Sequence, residues 1–226
     1  MQRHFHEELK QLKNKLLEMS FAVEEAVAKA CEALFTRSAT LAESVIAGEK
    51  RINNYEIEID EEGHALFALG QPMAVDLRLI TMILKINTDI ERMGDHAVNI
   101  AEKCLYILDE PPLKIDERFE KMAAAAQKML RDALGAFLKE DTDLALSVLK
   151  RDDEVDDYNA ALYCELNNLM EENSKTVTAG MNLLMISHNI ERIADLANNI
   201  AEDVIYWKQG REVRHRIHMD KPSAGM

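Results

Sequence analysis

One phrase, written twice, constrains this chain more than anything else in it. Residues 89–103 read "DIERMGDHAVNIAEK" and residues 189–203 read "NIERIADLANNIAED". Ile90, Glu91, Arg92, Asp95, Ala97, Asn99, Ile100, Ala101 and Glu102 each recur as the same residue one hundred positions later. A second register joins the first at a shift of 103: Val45 with Val148, Glu49 with Asp152, Ile52 with Val155, Tyr55 with Tyr158. Repetition over such a span means duplication of a supersecondary unit, so each half must adopt the same local fold.

The unit is helical. Phe5, Leu9, Leu12, Leu16, Met19, Val23, Ala26, Ala30 and Leu34 step by fours and threes, the signature of one long helix with a single apolar stripe. After "TRSAT" (36–40) a second stripe runs Val45, Ile52, Tyr55, Ile59, Leu66 and ends near Gly70, with Pro72 suited to the first turn of the next helix. The third helix buries Leu79, Ile83, Ile86, Ile90, Ala97, Ala101 and Cys104, and the prolines of "DEPPLKID" (109–116) stop it. The pattern then restarts. Phe119, Met122, Ala126, Met129, Ala133 and Phe137 mark a fourth helix, and "KEDTD" (139–143) a break. Leu144, Val148, Val155, Tyr158, Leu162 and Leu169 mark a continuous fifth, and the second phrase lies on the sixth. The connections are short, which makes neighbours antiparallel. The fold class predicted is all-α: two tandem three-helix bundles, six long antiparallel helices each of more than about five turns, related by internal duplication. The expected boundaries are 1–110, 111–212 and a tail, 213–226.

Composition narrows the function. The net charge of −14 repels phosphodiester backbones and anionic lipid, so nucleic acid is not an expected partner. The short basic stretch "GREVRHRIH" (210–218) reads as a solvated tail. No apolar run approaches the roughly 20 residues needed to span a bilayer, so direct membrane insertion is not expected. The opening "MQRHFHEELKQLK" lacks the apolar core of a signal peptide. Three cysteines without pairing pattern, Cys31, Cys104 and Cys164, suit a reducing cytoplasm.

Identity between the copies is concentrated. Eleven of the 23 positions from 86 to 108 match those from 186 to 208, whereas only Leu84 and Leu184 agree in the eleven positions before. Duplication alone would not concentrate it there. At about 100° per residue, Glu91, Asp95 and Glu102 fall within about 40° of one another, and Asn99 continues their stripe along the edge of the apolar face. The second helix of each copy offers a matching edge: Glu49 and Asn53, then Asp152 and Asp156. Clustered carboxylates repel unless neutralised. Arg92 and Arg192 point about 100° from the adjacent glutamates and are expected to serve other partners. Two readings remain: a hard cation held by oxygens of facing helices, with Fe, Mn, Mg, Ca and Zn all admissible, or a solvated acidic face. His64, in an isolated E-x-x-H, and His96, matched by Leu196, carry no repeated role. "MAAAAQKM" (122–129) reads as core. No nucleophile-base pair, glycine-rich phosphate loop or zinc motif is present.

Taken together, "QPMAVDLRLITMILKINTDIERMGDHAVNIAE" (71–102), "VIAGEKRIN" (45–53), "VLKRDDEVD" (148–156), "ISHNIERIADLANNIAE" (186–202) and "GREVRH" (210–215) resemble the PhoU family of phosphate-transport accessory and regulatory proteins over nearly the whole chain. That resemblance implies two three-helix bundles, a homodimer, and paired E(D)xxxD motifs that hold iron or other metal clusters in some members. It implies a cytoplasmic, non-enzymatic negative regulator of phosphate uptake and of the phosphate starvation response. Such a regulator links the ATPase subunit of a phosphate ABC transporter to a phosphate-sensing histidine kinase. The metal motif would fall on Glu49, Glu91 and Asp95 in the first copy and on Asp152, Asp156, Glu191 and Asp195 in the second. Asn53 departs from the motif by replacing an acid, so the second site is expected to bind a divalent or trivalent ion more tightly. Ala194 against Gly94 adds a methyl expected to tighten the approach of a neighbouring helix. The alternatives are a carboxylate-bundle metal-binding protein or metalloenzyme, and an accessory of a different phosphate transporter.

Overall fold

The computed structural model describes residues 2–70 and 73–210. Pro72 and the tail from 211 onward, including nearly all of the basic stretch, lie outside the described residues. The helices are α1 (Gln2–Thr36), α2 (Ala39–Gly70), α3 (Ala74–Leu108), α4 (Glu117–Lys139), α5 (Thr142–Leu149), α6 (Asp152–Glu172) and α7 (Val177–Gln209), with a 3-10 turn at Ser174–Thr176 and no strand among the described residues. The predicted apolar stripes are the core: Leu12, Leu16, Met19 and Val23 of α1, Ile59 of α2, Ile83, Ile86 and Ile90 of α3, and Met122, Met129 and Ala133 of α4 are fully buried.

Helices α1–α3 pack on one another, as do α4–α7, and the two bundles join chiefly along α3 and α7, with a smaller contact of α1 on α4. Lys85 Nζ on α3 stands 3.1 Å from Asp203 Oδ1 on α7, and His96 Nδ1 2.8 Å from Asn189 Oδ1. Position 85 thus meets 203 while 96 meets 189, so α3 and α7 run antiparallel. Equivalent positions a hundred apart come opposite one another near Met93 and Ile193, both fully buried. The apolar core therefore continues from one copy into the other.

The copies share backbone detail that composition cannot show. Arg37 (φ 49°) and Glu140 (φ 57°), equivalent at the 103 shift, both adopt the left-handed conformation that terminates a helix. Each ties its own bundle's last helix, by different chemistry. Arg37 Nη2 donates to the carbonyls of Ile107, Leu108 and Glu110 at 3.1, 3.2 and 3.1 Å, a cation on the negative end of α3. Glu140 accepts from Lys208 Nζ at 2.7 Å near the end of α7.

One expectation fails. The fifth helix is not continuous: it breaks at Lys150–Arg151 into α5, of 8 residues, and α6, of 21. Asp141 starts α5 by accepting from the N–H groups of Asp143 and Leu144, both at 3.0 Å. Arg151 N–H folds back onto Val148 O at 2.9 Å, and its guanidinium pairs with Asp132 Oδ2 on α4, also at 2.9 Å. The apolar pattern passes through the break because Val148 and Val155, seven residues apart, are both fully buried. In the first copy α2 runs unbroken for 32 residues.

The Gly94/Ala194 difference is matched by a second one on the facing helix. A Cβ on Gly94 would stand 3.2 Å from both Cδ1 and Cγ2 of Ile52. At the equivalent positions of the second copy stand Val155 and Ala194, both buried. Between the two pairs of equivalent positions one methyl is lost from Ile52 to Val155 and one gained from Gly94 to Ala194, leaving the summed side-chain volume unchanged.

Candidate metal centre

Acids of α6 and α7 meet in the second copy. Carboxylate oxygens of Asp152, Asp156 and Asp195 lie within 4.8 Å of one another. Two ligand oxygens at 2.0–2.6 Å from a shared ion are at most about 5 Å apart, so the trio has the spacing a hard cation requires. The helix break makes the geometry local: Asp152 opens α6 and is only 9% exposed. Asp152, Asp153 and Glu154 all fall in its first turn, where the helix dipole favours negative charge.

Glu191, one turn before Asp195, lines the same edge. Burial first, and then Asp195, holds its carboxyl above the ordinary value; Arg192 and His188 pull it down, and Asp156 adds to the rise. His188 Nδ1 stands 3.1 Å from Glu191 Oε2, an ion-pair approach without hydrogen-bond geometry, since that buried oxygen has no hydrogen-bond donor. Arg192 overturns its sequence reading. Its guanidinium does not leave the acidic edge for other partners: Nη1 pairs with Asp195 Oδ2 at 2.8 Å and Nε lies 3.7 Å from Glu191 Oε2. The angle between Cα positions misled because a long arginine side chain reaches across an i, i+3 step.

In the first copy the predicted residues converge less. Glu49, Glu91 and Asp95 do not form such a trio among the described residues. Burial, then Asp95 and Glu56, raise the Glu91 carboxyl above its ordinary value, with Arg92 opposing. Burial and then Asp60 raise that of Glu56. Glu56, which the sequence reading passed over, is thus the α2 acid that acts on Glu91; Glu56 and Asp60 form an i, i+4 pair that could have signalled it. Glu49 sits ten residues into the unbroken α2, without the helix start that presents Asp152.

Two buried carbonyl oxygens fit cation ligation. Asn53 Oδ1 in the first copy and Asn198 Oδ1, three residues beyond Asp195 in the second, are buried without a hydrogen-bond donor. Orphaned acceptors of this kind are costly unless a cation or donor meets them. Their chemistry, with the carboxylates, is an all-oxygen set for a hard ion. His96 takes no part in that set: burial lowers its pKa, and it bridges α3 to Asn189 of α7. His64 is exposed, and Met122 and Met129 are core, as read from sequence.

An all-helical tandem repeat with acidic pairs on its helices defines the class: a duplicated helical-bundle protein with an aspartate cluster at the edge of its second bundle. A PhoU-domain family model matches residues 16–104 and 119–204, and the chain belongs to the PhoU family. It is 39% identical over 214 residues to the phosphate-specific transport system accessory protein PhoU homolog of Aquifex aeolicus, covering 95% of this chain and 97% of the relative. It is 32% identical over 223 residues to the accessory protein PhoU of Escherichia coli, covering 98% and 92%. The crystal structure of PhoU from Pseudomonas aeruginosa superposes with a TM-score of 0.88 at 37% identity, covering 92% of this chain and 100% of that one.

Proposed function

We propose that this chain is a cytoplasmic, non-enzymatic accessory protein of a phosphate-specific transport system. In this reading it represses phosphate uptake and the starvation response, and as a homodimer it links the transporter's ATPase subunit to a phosphate-sensing histidine kinase. The observation that supports the reading is the near end-to-end match to relatives named as phosphate-specific transport system accessory proteins, 95% of this chain against 97% of the Aquifex aeolicus protein. No helix among the described residues is long and apolar enough to cross a membrane. Contact with a membrane transporter is accordingly assigned to its protein subunits. Within the same reading, Asp152, Asp156 and Asp195, with Glu191 beside them, hold a divalent or trivalent cation, and Glu91 and Asp95, with Asn53 and Glu49, form a weaker first site. A bound ion would supply the positive charge that lets the carboxylates stay ionised at close quarters. The test is a deletion strain carrying a reporter on a phosphate-starvation promoter. Expression in abundant phosphate is expected to rise and to fall again on complementation. Unchanged repression in a strain with no second copy of the gene sinks the proposal.

A further inference from the structure

We propose that Arg192 is an internal competitor for the cation at the second site: it occupies the carboxylates when the site is empty and swings to solvent when an ion binds. The inference rests on the cation reading above. Its basis is that one carboxylate serves two claims. Asp195 is a member of the trio gathered within 4.8 Å, and its Oδ2 is bonded to Arg192 Nη1 at 2.8 Å. The guanidinium brings a positive charge to this edge of α7, and it stands where it partly does the work of a metal ion. A dication bound beside Asp195 would meet it as a like charge, so binding and latching oppose one another.

The latch is held in place and free to leave. Arg192 Nε donates to His188 Nε2 at 3.4 Å, and His188 Nδ1 in turn stands 3.1 Å from Glu191 Oε2. The Arg192 side chain is 49% exposed, so half of it already meets solvent. In the first copy the same arginine, Arg92, opposes the raised pKa of Glu91 through space but makes no ion pair with Asp95 among the described residues, and Thr88 stands where His188 would brace it. The competitor is a property of the second site alone.

Two consequences follow from the arithmetic of a partly blocked site. Apparent affinity falls by the fraction of time the site is open, and a pair latched for 70–90% of the time weakens binding about three- to tenfold. The factor is the same for every ion, so weakly held ions drop below occupancy while tightly held ones stay. By reciprocity, occupancy raises the unlatched population of Arg192 by the same factor, carrying the state of the site to the surface of α7.

The experiment is a Mn2+ titration followed by electron paramagnetic resonance, with Asp95→Asn as background so that only the second site responds. Arg192→Gln in that background is expected to tighten Mn2+ binding about three- to tenfold. The charge-matched control, Arg92→Gln in an Asp195→Asn background, is expected to change first-site binding less than about twofold. A second readout uses the unaltered protein: saturation with diamagnetic Zn2+ is expected to shift the Arg192 Nε–H resonance, assigned by its loss in Arg192→Gln. Equal tightening in the two arginine variants, unchanged affinity in Arg192→Gln, or an unmoved Arg192 resonance at saturation overturns the latch while leaving the cation site standing. Absence of Mn2+ binding in every variant overturns both.

Discussion

The exchange of one methyl between Ile52/Gly94 and Val155/Ala194 predicts a specific energetic coupling. Gly94→Ala places a methyl 3.2 Å from two atoms of Ile52 and 3.6 Å from Val23 Cγ2, inside a contact where Ile52 is only 4% exposed. Overpacking of this kind costs about 1–3 kcal/mol. Against it, alanine in a helix interior gains about 0.5–1 kcal/mol over glycine. The single variant should therefore lose about 0–2.5 kcal/mol. Ile52→Val alone leaves a small void and costs about 0.5–1.5 kcal/mol. Together the two substitutions rebuild the arrangement of the second copy. Shortening Ile52 removes Cδ1, one of the two atoms the new methyl would meet. The double variant should therefore be more stable than the sum of the singles by about 1 kcal/mol. The assay is urea denaturation of the four proteins in chelator, with unchanged m-values confirming that only stability moved. The mirror set, Ala194→Gly with Val155→Ile, should show coupling of the same sign. Additivity within about 0.3–0.5 kcal/mol in both sets would refute the compensation argument.

Adding a cation at about 100 times its dissociation constant should stabilise the protein by about 2.7 kcal/mol, or roughly 5–11 °C for a chain of this length. Asp195→Asn should remove more of that gain than Asp95→Asn, because it takes a ligand from the site where three aspartates converge; equal losses in differential scanning calorimetry would contradict the ranking. In chelator, stability should also respond to the raised carboxyls of Glu191 and Glu91. Their folded pKa values lie above the unfolded ones, so the native state holds their protons more tightly and their charging destabilises it as pH rises through the interval between. Replacing Glu191 by Gln should accordingly stabilise the metal-free protein more at pH 7 than at the acidic end of that interval. Urea melts showing the same gain at both pH values would refute the assignment.

Much of the candidate site was legible as spacing. Glu191 and Asp195, or Asp152 and Asp156, share a helix edge because four residues return nearly to the same angle. Asn53, neutral where the second copy has Asp156, already favoured the second copy; what spacing could not tell was how its trio closes. That depends on the break at Lys150–Arg151, which the seven-residue step from Val148 to Val155 conceals. Nor could it assign Glu56 to Glu91 or Arg192 to Asp195, because the reach of a side chain and the depth of a facing helix are absent from a helical wheel.

By itself the sequence determined the class, the number of long helices, their buried faces and the duplication. Each of these follows from a local period of 3.6 residues and from identity at a constant shift, both readable along one strand of text. Tertiary structure alone decided the antiparallel seam of α3 on α7, the division of the fifth helix, the Ile52/Gly94 exchange and the claim of Arg192 on Asp195. The physical reason is range. Periodicity records what one helix presents to its surroundings, whereas convergence of charge and volume depends on what another helix, tens of residues away, presents in return.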